Sequence, residues 1–90
     1  MISVVVPVYN EKDTVKELHN LIIKTMKQQH SPYEIIFVDD GSVDDTWKEI
    51  SKLQPIKGIS LQKNYGQTCA LDVGIQEAKG DIIILLDADL

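Results

Sequence analysis

Gly80-Asp81-Ile82-Ile83-Ile84-Leu85-Leu86-Asp87-Ala88-Asp89-Leu90 decides the fold of this 90-residue chain. Five consecutive aliphatic residues, three of them β-branched, predict a strand apolar on both faces, the kind buried in a parallel sheet between helices. Two acids with one residue between them follow at once. The carboxyl end of such a strand is where open α/β sheets bind ligands, and the hard oxygens of Asp87 and Asp89 suit a divalent cation carrying phosphates.

The rest of the chain supplies a floor for that pair. Ile2-Ser3-Val4-Val5-Val6-Pro7-Val8 is a β-branched run of strand length, and Pro7 has no N–H to give a ladder, so pairing is expected to loosen there. Tyr9 and Asn10 then form a loop. From Glu11 the period becomes helical, with Val15, Leu18, Ile22 and Met26 on one face, Asp13 or Thr14 as caps, and an end near Gln29. Ser31-Pro32 breaks it. Tyr33-Glu34-Ile35-Ile36-Phe37-Val38 is a second strand ending in Asp39-Asp40-Gly41-Ser42. Ser42 or Asp44 is placed to cap a short helix that turns Trp47, Ile50 and Leu53 inward and stops at Pro55. Gly58 to Gln62 alternates weakly as a third strand. After the Lys63-Asn64-Tyr65-Gly66 loop, Gln67 to Lys79 reads as a helix with Ala70, Leu71, Gly74, Ile75 and Ala78 on one face. Gly74 allows close packing on the sheet, and Gly80 stands where a left-handed cap is expected.

The resulting β-α-β-α-β-α-β order predicts an α/β fold: a Rossmann-like parallel sheet with right-handed crossovers and helices on both faces. With the fourth strand returning beside the first, the strand order is 3-2-1-4. The switch point then lies between strands one and four and lines up Pro7 to Glu11, Asp39-Asp40 and Asp87-Asp89 along one rim.

Composition narrows what that rim can bind. An apolar share of 43% with 26% charged residues is that of an ordinary globular domain, and one domain is all that 90 residues allow. Fourteen acids face nine lysines and no arginine, a net charge of −5 that argues against nucleic acid and against a polybasic membrane patch. An anionic ligand would then need a bridging metal. The lone Cys69 excludes an internal disulfide and fits a reducing, cytoplasmic compartment. These residues contain no signal-peptide pattern and no run of membrane-spanning length. Because the chain stops one residue after Asp89, inside an expected active-site loop, it is expected to be an N-terminal piece of a longer protein.

Each feature has a plainer alternative. Asp87-Ala88-Asp89 reads also as polar residues closing a strand, and Asp39-Asp40-Gly41-Ser42 as a turn with helix caps. Two adjacent acids cannot both point the same way, yet one facing the cleft can accept hydrogen bonds from a nucleobase imide or a ribose hydroxyl. Glu11 reads also as a first-turn helix acid and Asn10 as a loop or cap residue. Trp47 reads as core, His19 and His30 as solvent-exposed, and Cys69 as a small packing residue.

Taken together, Val6-Pro7-Val8-Tyr9-Asn10-Glu11, Val38-Asp39-Asp40-Gly41-Ser42, Asn64-Tyr65-Gly66-Gln67 and Gly80-Asp81 leading to Leu86-Asp87-Ala88-Asp89-Leu90 resemble the family 2 glycosyltransferases of the GT-A fold. The resemblance covers essentially the whole chain. It implies inverting transfer of a sugar from a nucleoside-diphosphate sugar, with Pro7, Tyr9 and Glu11 lining the nucleoside pocket. It also implies that Asp39 and Asp40 hold base and ribose, and that Asp87 and Asp89 hold Mg²⁺ or Mn²⁺ on the diphosphate. The Asn64 to Gln67 loop, with Ala70-Leu71 and Gly74, is most similar to the branch that glycosylates polyprenyl phosphates. That branch implies a lipid-phosphate acceptor and work at the cytoplasmic face of a membrane through segments absent here. No catalytic residue is assigned in these 90 residues, and the piece alone is expected to be inactive.

Two alternatives stand beside this. Haloacid-dehalogenase-type phosphatases also place D-x-D after an apolar strand, although there the nucleophilic Asp follows the first strand of the core, whereas here three βα units come before it. A non-catalytic nucleotide-binding module is the other. Finally, strand four is outermost in the expected order yet apolar on both faces, so the chain is expected to self-associate through residues 82–86.

Overall fold

The computed structural model of the chain describes residues 1–88. The elements are β1 (Ile2–Val8), α1 (Val15–Gln29), β2 (Tyr33–Asp39), α2 (Thr46–Ser51), β3 (Lys57–Ser60), α3 (Gln67–Glu77) and β4 (Ile82–Leu85). They form a four-stranded sheet in the order β3-β2-β1-β4. All three pairings are parallel.

The sheet divides two apolar layers. Val4, Val6, Val8, Ile35 and Phe37 face α1 and α2, meeting Val15, Leu18, Ile22, Met26 and Ile50. Val5, Ile36 and Val38 face α3 and Ala70. This follows from period-two alternation in central strands with both faces covered. Burying each such side chain contributes roughly 1.5–3 kcal/mol. The α3 layer is thin because Gly74 lies on the sheet, where a Cβ would run into Val5 and crowd Val38.

Pro7 acts on one side of β1 only. Toward β2 the register runs on through Pro7↔Val38 to Val8↔Asp39. Toward β4 it ends at Val5↔Leu85, with a last bond from the Leu86 amide to Val5 O at 3.0 Å. The next bond on that side would need the N–H that proline lacks. The strands therefore part at the rim, between Pro7 and Asp87.

The opposite end of the sheet is fastened by polar groups. Ser3 Oγ donates to Glu34 Oε2 at 2.6 Å, the Lys79 amide donates to the same oxygen at 2.7 Å, and the Gly80 amide donates to Ser3 Oγ at 2.8 Å. This corrects the reading of Gly80. It is not a left-handed cap, since among described glycines only Gly41 and Gly66 have positive φ. A Cβ on Gly80 would stand 2.6 Å from both Met1 O and Ser3 Oγ, so glycine is required here by the close approach of β1.

Other expectations change as well. His19 is 2% exposed, its Nε2–H donates to Pro55 O at 2.9 Å, and its ring meets Phe37 edge-on at 6.2 Å. Trp47 lies at the surface with its ring against Gly58, and Cys69 is exposed. Thr14 occupies the α1 N-cap position, but its hydroxyl turns back to Glu11 Oε2 at 2.9 Å. At α2 the cap position is Asp45, without a side-chain cap bond, and Asp44 Oδ1 takes the Thr46 amide at 2.9 Å. Strand four is the sheet edge that the 3-2-1-4 order requires, but its apolar run is not covered on both faces, with Ile82 59% and Leu85 48% exposed.

Candidate functional site

At the carboxyl ends of β1, β2 and β4 a cavity of ≈ 280 Å³ is lined by Pro7, Val8, Tyr9, Glu11, Asp40, Asn64, Gly66, Gln67, Asp87 and Ala88. Five expected site residues, Pro7, Tyr9, Glu11, Asp40 and Asp87, are brought together there. Asp39 is not among the lining residues, and Asp89 lies outside the described residues.

Successive strand residues face opposite ways, which is why the two neighbouring acids part. Asp40 is buried, and its Oδ1 and Oδ2 accept the Tyr65 and Gly66 amides, each at 2.9 Å. One charged side chain at the end of β2 thus holds the loop that leads into α3, whose Asn64, Gly66 and Gln67 form a wall of the cavity. Gly41 makes room for it. Its φ is +71°, and a Cβ would stand 2.5 Å from Asn64 N. Asp39 turns to Ser42 instead, accepting its hydroxyl and, at 3.2 Å, its amide.

The loop after β1 is tied across to the loop after β2. Asn10, at φ 52°, accepts the Val43 amide on Oδ1 at 3.0 Å, and its own amide donates to Ser42 Oγ at 2.8 Å. The Glu11 amide donates to Thr46 Oγ1 at 2.9 Å, and that hydroxyl donates to Asp44 Oδ1. Burial pushes the Asp44 carboxyl up, but bonds from Thr46 and the Lys12 amide and the Lys12 charge outweigh it and hold the group below its usual range. Sequence reasoning missed Thr46 and the Tyr65 and Gly66 amides. The available signals were asparagine's tolerance of left-handed backbone and the D-x-x-S and D-x-T spacings of local side-chain bonds.

The donor set is oxygen only. Glu11, Asp40 and Asp87 bring carboxylates to the cavity, and among the described lining residues there is no Cys or His, a set that suits a hard cation. Among the described residues no three His, Cys, Asp or Glu groups converge as a metal cage.

The family model for glycosyl transferase family 2 matches residues 3–90. The chain belongs to that family. This displaces the phosphatase alternative, and the sheet order agrees with the GT-A fold. An undecaprenyl-phosphate 4-deoxy-4-formamido-L-arabinose transferase of Proteus mirabilis (strain HI4320) is 44% identical over 99% of this chain and 29% of its own length. Two solved glycosyltransferases superpose closely. Glucosyl-3-phosphoglycerate synthase from Mycobacterium tuberculosis, in complex with Mn²⁺, uridine diphosphate and glucosyl-3-phosphoglycerate, has a TM-score of 0.81 and 28% identity over 100% of this chain and 34% of its own. A mannosyltransferase from Pyrobaculum calidifontis, in complex with GDP-Man and Mn²⁺, has a TM-score of 0.79 and 26% identity over 98% of this chain and 27% of its own. The chain thus spans about 29% of the length of the curated relative it matches. Among the described residues no helix is long and apolar enough to cross a membrane.

Proposed function

We propose that the cleft between β1 and β4 seats the nucleoside diphosphate of a sugar donor, and that residues 1–90 are the N-terminal donor-binding part of a longer inverting glycosyltransferase. The carrying observation is the convergence on one cavity of Pro7, Tyr9, Glu11, Asp40 and Asp87 from three strand ends. Its ≈ 280 Å³ is at the lower edge of the range of small-molecule pockets, about 300–1,000 Å³, which suits a nucleoside with the diphosphate reaching outward.

In this reading Pro7, Tyr9 and Glu11 line the nucleoside, and Asp40 accepts from base or ribose with lone pairs left beside its two amide bonds. Asp87 and Asp89 hold Mg²⁺ or Mn²⁺, which when bound neutralises charge growing on the departing diphosphate. A polyprenyl phosphate is the acceptor we favour, supported by the relative named for undecaprenyl phosphate. Such an acceptor puts the whole protein at the cytoplasmic face of a membrane. The 90 residues alone should transfer no sugar, since positioning both reactants supplies ~7–11 kcal/mol of barrier lowering and half a site cannot supply it. They should also self-associate through residues 82–86.

Calorimetric titration of the whole protein with UDP and with GDP, each with MnCl₂, tests the reading. Binding should need the metal and weaken in Asp89→Asn. Equal binding in excess chelator would end it.

A further inference from the structure

Two hydroxyls stand between the loop after β1 and the loop after β2, and both are wired the same way. Ser42 Oγ accepts the Asn10 amide at 2.8 Å and donates to Asp39 Oδ1. Thr46 Oγ1 accepts the Glu11 amide at 2.9 Å and donates to Asp44 Oδ1. The direction is forced. An amide only donates and an ionised carboxylate only accepts, so each hydroxyl must receive from the first loop and give its single proton to the second.

Each carboxylate fixes its hydroxyl residue twice over. Asp39 Oδ1 also takes the Ser42 amide at 3.2 Å, and Asp44 Oδ1 the Thr46 amide at 2.9 Å. Bonds of this kind to an ionised group are roughly twice as strong as neutral ones. The two amide donors, Asn10 and Glu11, are consecutive, and Tyr9 and Glu11 line the cavity. Asp39, Ser42, Asp44 and Thr46 are absent from that lining. Asp39 is 2% exposed and Thr46 wholly buried, so they make up the packed wall behind the site.

We propose that Asp39 and Asp44 are positioning residues of the donor pocket: acting through Ser42 and Thr46, they hold the Tyr9 to Glu11 wall in register with Asp40, and Asp39 does not touch the nucleotide. This rests on the nucleotide reading of the cavity and replaces the expected base or ribose contact of Asp39.

Two measurements on the whole protein decide it. The first needs no ligand: hydrogen exchange of single amides followed by NMR. Ser42→Ala should speed exchange at Asn10 by about five- to tenfold and leave Glu11 unchanged, and Thr46→Val should do the reverse, each having lost one hydrogen bond. Ser42→Thr and Thr46→Ser should restore protection.

The second is titration with UDP and with GDP in MnCl₂. Asp39→Ala and Ser42→Ala should each weaken binding by roughly tenfold, and the double variant no further, because they break one relay. Asp39→Asn keeps an oxygen that accepts both Ser42 bonds and should recover most of the loss. Multiplying losses in the double variant, or Asp39→Asn as weak as Asp39→Ala, would mean that the carboxylate contacts the ligand and would overturn the proposal. Exchange at Asn10 and Glu11 untouched by the variants would overturn the relays themselves. A wild-type protein that binds neither nucleotide would remove the nucleotide reading and the pocket role with it, and the exchange pattern would still judge the relays separately.

Discussion

Asp40 Oδ2 accepts the Gly66 amide at 2.9 Å, joining the end of β2 to the first residue before α3 across 26 positions of chain. A second amide, from Tyr65, fills Oδ1. The buried charge is thereby satisfied by two backbone donors, and one wall of the cavity depends on it. Asp40→Asn can keep one of these bonds but must turn an NH₂ toward the other amide, leaving a donor facing a donor. We expect a loss of about 1–3 kcal/mol in stability and a loosened 64–67 loop, whereas Asp40→Glu should displace the loop without freeing both amides. Chemical denaturation with amide exchange at Tyr65 and Gly66 checks this, and unchanged protection at both would refute the assignment.

Gly41 makes the neighbouring prediction steric. Its φ of +71° disfavours any side chain, and a Cβ would press on the backbone of Lys63 and Asn64. Gly66 has φ +107° but nothing within 4 Å of a Cβ. Gly66→Ala should therefore cost only the backbone strain, about 1–3 kcal/mol. Gly41→Ala should cost more and also weaken the Asp40 bonds. Equal melting temperatures for the two variants would show that the 63–64 loop yields freely.

How far such details were legible depends on their range in sequence. The β1 boundaries, the 3-2-1-4 order and the close approach at Gly74 all follow from local pattern and chain connectivity, and the structure agrees. His19 is buried by its position and not by its residue type. It lies four residues after Val15 and three before Ile22, hence on the flank of the buried face, and its partner Pro55 comes from 36 residues away. Alternation required Asp39 and Asp40 to diverge but not which would face the cavity. That choice is made by the amides of Tyr65 and Gly66, which no local rule reveals.

The Ser3–Glu34 fastening gives a pH dependence. Burial raises the Glu34 carboxyl, but the Ser3 hydroxyl, the Lys79 amide and the charges of Lys57 and Lys79 outweigh it, and the net shift is downward. A carboxylate with a depressed folded-state value adds stability above its unfolded value, near 4.3, and loses it as pH falls through the folded value. Stability should therefore decline below about pH 4.5 more steeply in the wild type than in Glu34→Gln. Denaturant midpoints at pH 6, 4 and 3 (roughly spanning that range) would measure it, and parallel curves would remove Glu34 from the account.

The last prediction concerns the β4 edge. The Ile82 and Leu86 amides bond to Met1 and Val5 on β1, so by alternation those of Ile83 and Leu85 point outward. The side chains beside them are exposed, and on the other face Leu18, Leu21, Met26, Ile84 and Leu86 line an apolar groove of ≈ 240 Å³. Natural edges are guarded by charge, proline or brevity, and residues 82–85, though few, carry neither of the first two. We expect the 90-residue chain to pair edge to edge as its concentration rises, gaining backbone hydrogen bonds and covering both apolar faces at once. Light scattering should then report a species larger than a monomer, with the Ile83 and Leu85 amides becoming protected over the same concentration range. Leu85→Lys places a charge on the exposed face without entering the core and should return the chain to monomer with its melting transition intact. A wild-type chain that stays monomeric, with those two amides exchanging freely at every concentration, would show that solvation of this edge outweighs what pairing offers.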